Sequence, residues 1–234
     1  MGGVGPEILS LVLFMDANIR LQLLKIQTMD HKKERVVAYI DGFNLYFGMR
    51  EAGFDTCRWL NVKKLVEDLL NANQELVGIK YFTSRVSNNP DKQKRQSTYI
   101  DALDSLHIEI IYGNYQDGSE ECHRCGHIWR TAKEKMTDVN IATAMIVDAY
   151  CDQYDMAMLI SGDSDLTPPI KAIHKLFNQK RVFIAFPPKR HNSSMALVAR
   201  GSMIIGRKKL VNAQFDEEVI SKTGYKLKIP PEWK

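Results

Sequence analysis

From Arg35 onward, short apolar runs alternate with longer segments in which apolar positions recur every three or four residues. The short runs are RVVAYID (35–41), LVGIKYFTSRV (76–86), IEIIYGNY (108–115), MAMLISG (156–162) and RVFIAFP (181–187). Runs this continuously apolar predict strands covered on both faces, because a half-exposed strand would alternate apolar with polar residues. Between them NVKKLVEDLLNA, DKQKRQSTYIDALDSL, KEKMTDVNIATAMIVDAYCDQ and TPPIKAIHKLFN predict helices. In the third, Val139, Ala142, Met145, Ile146 and Ala149 are expected to form one buried stripe. The alternation predicts βαβ units and so an α/β fold: a Rossmann-like three-layer α/β/α sandwich with a mainly parallel central sheet.

With 234 residues, one main core is expected. It should occupy 35–212, between an N-terminal extension (1–34) and a Pro- and Lys-rich C-terminal tail (213–234), with a Cys-x-x-Cys insertion at about 116–131. The early run ILSLVLFMDANI is too short to span a bilayer and carries Asp16, so no membrane segment is expected. Met29 comes just before the compact pattern begins. The first 28 residues therefore read either as an upstream start-site extension or as an added amphipathic helix.

Charge changes this picture little. The balance of 32 Lys and Arg against 28 Asp and Glu gives a net +4, too mild to imply a nucleic-acid partner by itself. Basic runs at 85–95, Lys180-Arg181, Lys189-Arg190 and Arg207-Lys208-Lys209 are solvated faces unless they converge on an acidic centre. The four cysteines include one close pair and no secretory signal is evident, which fits a reducing, cytoplasmic compartment.

In open α/β sheets, ligands bind beyond the carboxyl ends of strands, so the residues following each run are the ones to inspect. Asp41 ends the first run in YIDGFNLYFG; Ser161, Asp163 and Asp165 follow the fourth in LISGDSDL; and Lys189 and Arg190 follow the fifth in FPPKRHNSS. Asp138 stands one residue before the stripe of the third helix. Each has an ordinary reading as well: Asp-Gly makes turns, Asp138 suits a helix macrodipole and Asp165 can cap the next helix. Gathered at one edge, such carboxylates would repel one another unless a cation intervened. Hard oxygen ligands suit Mg²⁺ or Mn²⁺, and a site of this kind supports phosphodiester hydrolysis. No His or Cys lies in the stretches that carry these acids, which disfavours a catalytic zinc. A dinucleotide role lacks its glycine-rich turn after the first strand. A haloacid-dehalogenase-type phosphatase would need an aspartate where Tyr39 stands.

YIDGFNLYFG, EKMTDVNIATAMIVDAY, LISGDSDLTPPI and VFIAFPPKRHNSS, in that order over about 35–210, resemble the NYN domain family (LabA-like) of the PIN-like nuclease superfamily. The resemblance implies a metal-dependent ribonuclease, an endoribonuclease acting on RNA through Mg²⁺ or Mn²⁺. Asp41, Asp138 and Asp163 would be the metal-facing acids, and Asp165 a further ligand or water holder. Asn44 would orient substrate or water, Ser161 would lie at the site edge, and Lys135 would meet a phosphate or restrain Asp138. The competing expectation is a non-catalytic RNA-binding or scaffolding module.

Two further features stay open. ECHRCGHIW pairs Cys122 with Cys125 in a zinc-knuckle turn, but one pair is half a tetrahedral site. Structural zinc would need His123, His127, Cys57 or a second copy of the chain, the last being a route to a homodimer. Tyr46, Phe47, Trp59, Tyr112 and Tyr115 either stack on unpaired bases or pack the core.

Overall fold

A computed structural model describes residues 33–86, 89–121 and 123–234. Residues 1–32 and Cys122, and the expectations that fall on them, lie outside these. In chain order the strands are β1 (Glu34–Asp41), β2 (Gln74–Thr83), β3 (Glu109–Tyr112), β4 (Asn114–Glu121), β5 (Ile128–Lys135), β6 (Met156–Ile160), β7 (Arg181–Phe186), β8 (Gly201–Ile204), β9 (Glu218–Ile220) and β10 (Lys226–Lys228). The helices are α1 (Gly42–Glu51), α2 (Val62–Leu69), α3 (Pro90–Asp104), α4 (Thr137–Tyr150), α5 (Thr167–Leu176), α6 (Ser193–Val198) and α7 (Arg207–Asn212).

Six strands form one parallel sheet in the order β3-β2-β1-β6-β7-β8, and helices cover both faces, as the apolar runs predict. β1 is buried from Val36 to Asp41 because it has strand neighbours on both edges and helices on both faces. Side-chain alternation divides it between two cores. Val36, Ala38 and Ile40 pack with Leu45 and Met49 of α1 and Leu65 of α2. Val37 and Tyr39 pack with Ile141 and Met145 of α4 and Ile170 of α5.

Two expectations need correction. The stripe on α4 is rotated from the expected one: Ile141, Met145 and Ala149 are buried, whereas Val139 is 63% exposed. A buried polar group accounts for the choice of face. Asp148 sits on the inner side, where its carboxylate accepts from the Tyr39 hydroxyl at 2.7 Å and pairs with Lys80 at 2.8 Å. The third strand, expected over 108–115, ends at Tyr112, and β4 and β5 form an antiparallel hairpin separate from the main sheet. Gly113 makes that exit possible. A Cβ there would lie 2.6 Å from Thr137 Oγ1, 2.7 Å from Ser84 Oγ and 2.8 Å from the Lys135 carbonyl. Helix α4 accordingly starts at Thr137, after Met136 turns the chain in a left-handed conformation (φ 79°).

Residues 213–234 fold back onto the sheet domain. Trp233 is 8% exposed, and its ring lies 5.9 Å from Tyr99 and 6.4 Å from Trp59, which is itself in the core. Trp59 thus packs and does not face solvent. No helix among the described residues is long and apolar enough to cross a membrane.

His174 ties α5 to the sheet, since its Nε2 accepts the Val182 amide at 3.1 Å. Burial, with the charge of Arg200 nearby, holds its pKa below the usual 6.5. The unfolded chain therefore takes up this proton first. Stability from this group is complete above about 6.5 and should fall as pH drops through the depressed folded value, a fall that His174→Gln should remove in urea titrations run between neutral and mildly acidic pH.

Candidate functional site

The sheet order reverses between β1 and β6, the place where the loops leaving two adjacent strands diverge to opposite sides and leave a crevice. Asp41 ends β1 there, and Ser161 to Asp165 follow β6. Asp41 is 5% exposed and both its oxygens are engaged. Oδ1 accepts the Asn44 amide at 2.9 Å, capping α1, and Oδ2 accepts the Ser161 hydroxyl at 2.9 Å. Ser161, fully buried, in turn accepts the Asp163 amide at 3.1 Å, and Asp163 Oδ1 accepts the Asp165 amide at 3.0 Å. One relay of hydrogen bonds therefore joins the acid of the first motif to both acids of the third.

Asn44 closes the same crevice from the helix side. Its Oδ1 accepts the Gly162 amide at 3.0 Å, so this side chain braces the loop after β6. Gly162 is also where the loop after β7 leans in: a Cβ there would sit 1.8 Å from the Arg190 carbonyl oxygen. Asn192 completes the contact, capping α6 and donating to the Gly162 carbonyl at 3.4 Å. Gly162 and Asn192 shape the crevice and were not among the residues expected from the strand ends. The pattern Asn-Ser-Ser before a helical run would have disclosed the cap. Nothing local discloses the approach to Gly162.

Asp138 enters from α4. A helix returning between parallel strands runs opposite to them, so its first turn lies over the carboxyl edge of the sheet. Asp138 is half-buried in that turn. Burial pushes its carboxyl above the usual range, and the charges of Asp163 and Asp165 push it further. Asp41 is affected more: burial raises it to about 6 against the pull of its two hydrogen bonds, with Asp138 and Asp163 adding repulsion. The four acids thus share one electrostatic neighbourhood. They do not form a closed cage: among the described residues no three His, Cys, Asp or Glu side chains are gathered closely enough to hold a metal between them. Any ion held here would keep much of its water, with lone pairs of Asp138, Asp163 and Asp165 as the available donors.

The other expected residues are placed as follows. Lys135, at the end of β5, is exposed, and so is Lys189, which turns the loop after β7 with φ 60°. Arg190 is paired with Glu51 at the end of α1 and acts as a brace for that loop. Lys180, just before β7, and Arg181, its first residue, lie at the opposite edge of the sheet, where they pair with Asp152 and Glu34. Cys125 and His127 are exposed on the hairpin turn, and Cys57 is buried in the core. A cavity of about 320 Å³ lies beside α1 and includes Gly42, the residue after Asp41, in its lining.

A sequence profile described as the NYN domain matches residues 35–205. The chain belongs to the NYN domain family. This NYN chain is 28% identical over 203 residues to the 6-hydroxy-3-succinoylpyridine 3-monooxygenase HspA of Pseudomonas putida, a match covering 71% of the chain and 64% of that protein. It thus spans less than two thirds of that relative's length. The crystal structure of a protein of unknown function from Vibrio parahaemolyticus has the same fold, with TM-score 0.52 and 23% identity over 76% of the NYN chain and 96% of the other. The PIN-like sandwich is consistent with both the profile and the sheet order.

Two measurements probe this centre. Because the folded carboxyl of Asp41 titrates near 6 and the unfolded one near 3.8, the unfolded chain loses this proton first as pH rises. The group's stabilising contribution is complete below 3.8 and gone above about 6, a change on the order of 3 kcal/mol. With chelator present, Asp41→Asn should raise the melting temperature at neutral pH, and the difference should close near pH 4. Gly162→Ala should destabilise the fold by ~2 kcal/mol or more in urea titration, because the obstructing atom is backbone.

Proposed function

We propose that this NYN chain is a metal-dependent ribonuclease that hydrolyses RNA phosphodiester bonds at the crevice between β1 and β6. The observation that carries the reading is the condition of Asp41. This carboxyl is buried at a topological switch point, where burial pushes it up to about 6 and the charges of Asp138 and Asp163 add to the rise, and a bound cation would relieve both effects. The donor chemistry fits Mg²⁺ or Mn²⁺, with Asp138 and Asp163 as direct holders, Asp41, whose oxygens are both engaged, as a holder through water, and Asp165 as a further ligand or water holder. Bound there, such an ion supplies an activated water and neutralises charge on the phosphate.

The chain's own groups have separable tasks in this reading. Ser161 fixes the Asp41 carboxylate by donating to Oδ2, and holds Asp163 by accepting its amide. Asn44 keeps the β6 loop in place through Gly162 and so acts as a positioning residue. Lys135 and Lys189, both exposed, would meet flanking phosphates. RNA is the favoured polymer because single strands can enter a crevice at a sheet edge without being unwound.

A second reading follows from the relative named as a monooxygenase: oxidation of a small aromatic ring. The experiment separates them. Labelled single-stranded and structured RNA would be incubated with Mn²⁺ or Mg²⁺ and with wild type, Asp41→Asn or Asp163→Asn. Cleavage by wild type, reduced about a hundredfold or more in both variants, is expected. Equal cleavage by all three, or none with either metal, would falsify the nuclease reading. Retained RNA binding without cleavage would assign a binding role, and turnover of 6-hydroxy-3-succinoylpyridine with oxygen and a reductant would favour the second reading.

A further inference from the structure

The cavity of about 320 Å³ beside α1 is not used by anything described above. Its size falls within the range of small-ligand sites. It lies on the side of the sheet opposite to Asp138, between α1, the end of β2, α3 and the folded-back C-terminal segment. Three properties of its wall define what it would hold.

Aromatic rings form much of it. Tyr46, Phe47, Tyr99 and Trp233 line the space, with Phe47 partly open to solvent. Such walls suit a flat ring, which stacks on aromatic faces without demanding a particular sequence of polar atoms.

Its charge is one-sided. Arg50, Arg58, Lys92 and Arg95 face the space against a single carboxylate, Glu232, which Arg95 already neutralises at 2.9 Å. An anionic group on the ligand is therefore favoured.

One polar group within the wall is left without a partner. The Nε of Arg58 is buried and makes no hydrogen bond, although the guanidinium pairs at its far end with Asp55 and lies 5.5 Å over the Tyr46 ring. Tyr81 is 6% exposed and lines the same space with a hydroxyl that can donate. That hydroxyl lies 2.6 Å from where a Cβ on Gly42 would be, at the inner end of the cavity. A buried donor left unmatched, as Arg58 Nε is, is costly, and a ligand atom that accepts from it recovers the cost.

We propose that this cavity binds a planar aromatic ring carrying an anionic group, of which a nucleoside monophosphate is the representative form. The ring stacks against Tyr46, Tyr99 and Trp233, and the anion meets Arg58 and Lys92. Tyr81 donates to the deepest acceptor of the ring. Gly42 directly follows Asp41 in the chain, so a nucleotide seated here stands next to the acidic crevice. The assignment does not require the crevice to cleave anything, and it holds equally for a free aromatic acid.

The test is calorimetric titration of the full chain with AMP, with a 5′-phosphorylated RNA tetranucleotide and with pyridine-3-carboxylate, using wild type, Tyr81→Phe, Arg58→Gln and Asp163→Asn. Saturable binding by at least one probe is expected, weakened about tenfold in Tyr81→Phe and Arg58→Gln and unchanged for AMP or pyridine-3-carboxylate in Asp163→Asn. The tightest probe identifies the source: the tetranucleotide an RNA strand, pyridine-3-carboxylate a free aromatic acid. Tyr81→Phe removes a single oxygen, so it reports on binding even where Arg58→Gln alters folding, which melting curves would show. No saturable binding by any probe, or binding unaffected in folded Tyr81→Phe and Arg58→Gln, overturns the proposal. Loss of RNA cleavage in Asp163→Asn with pocket binding intact leaves this proposal standing apart from the nuclease reading.

Discussion

The hydrogen bond from Ser161 to the buried Asp41 carboxylate joins the ends of the two central strands, and the surrounding loops are arranged around it. Parallel pairing of β1 with β6 brings the two ends side by side, but pairing alone leaves the loops free to diverge. The carboxylate stops that divergence on one side by capping α1 and on the other by holding the serine that holds Asp163. Its burial has an opposing effect, since a desolvated charge beside other acids is held at a cost. The centre is ordered by geometry and strained by electrostatics at the same time.

A second set of contacts secures the crevice from outside. Gly162 admits the Arg190 carbonyl, and Gly48 admits the Pro188 carbonyl, which a Cβ would approach to 2.6 Å. The loop after β7 is thereby wedged against both α1 and the loop after β6. Arg190, paired with Glu51, fastens the same loop to the end of α1. Three connections far apart in sequence behave as one wall.

The sheet and the acids were legible because each follows from a local rule. Continuous apolar runs mark covered strands, and acids immediately after them mark the ligand edge of a parallel sheet. Asp138 was legible through its place at the start of a returning helix. The hairpin was not, since NYQDGSEE is too polar to announce a strand and its pairing with 128–135 is visible only once Gly113 is seen to turn the chain away. The face of α4 was misjudged because Asp148, a charged residue, belongs inside, and only the Tyr39 hydroxyl and Lys80 on distant strands make that tolerable. The bracing role of Arg190 depends on a partner 139 residues away, which no spacing rule reaches.

Gly113 has a mechanical consequence. Lodged against Ser84, Thr137 and the Lys135 carbonyl, it is a fixed pivot at the foot of a hairpin that pairs with no strand of the main sheet. Thr137 is the first residue of the helix that carries Asp138, so the pivot clamps that helix at its origin. The backbone contact that turns the hairpin out of the sheet is therefore also the one that fixes where the helix carrying Asp138 begins.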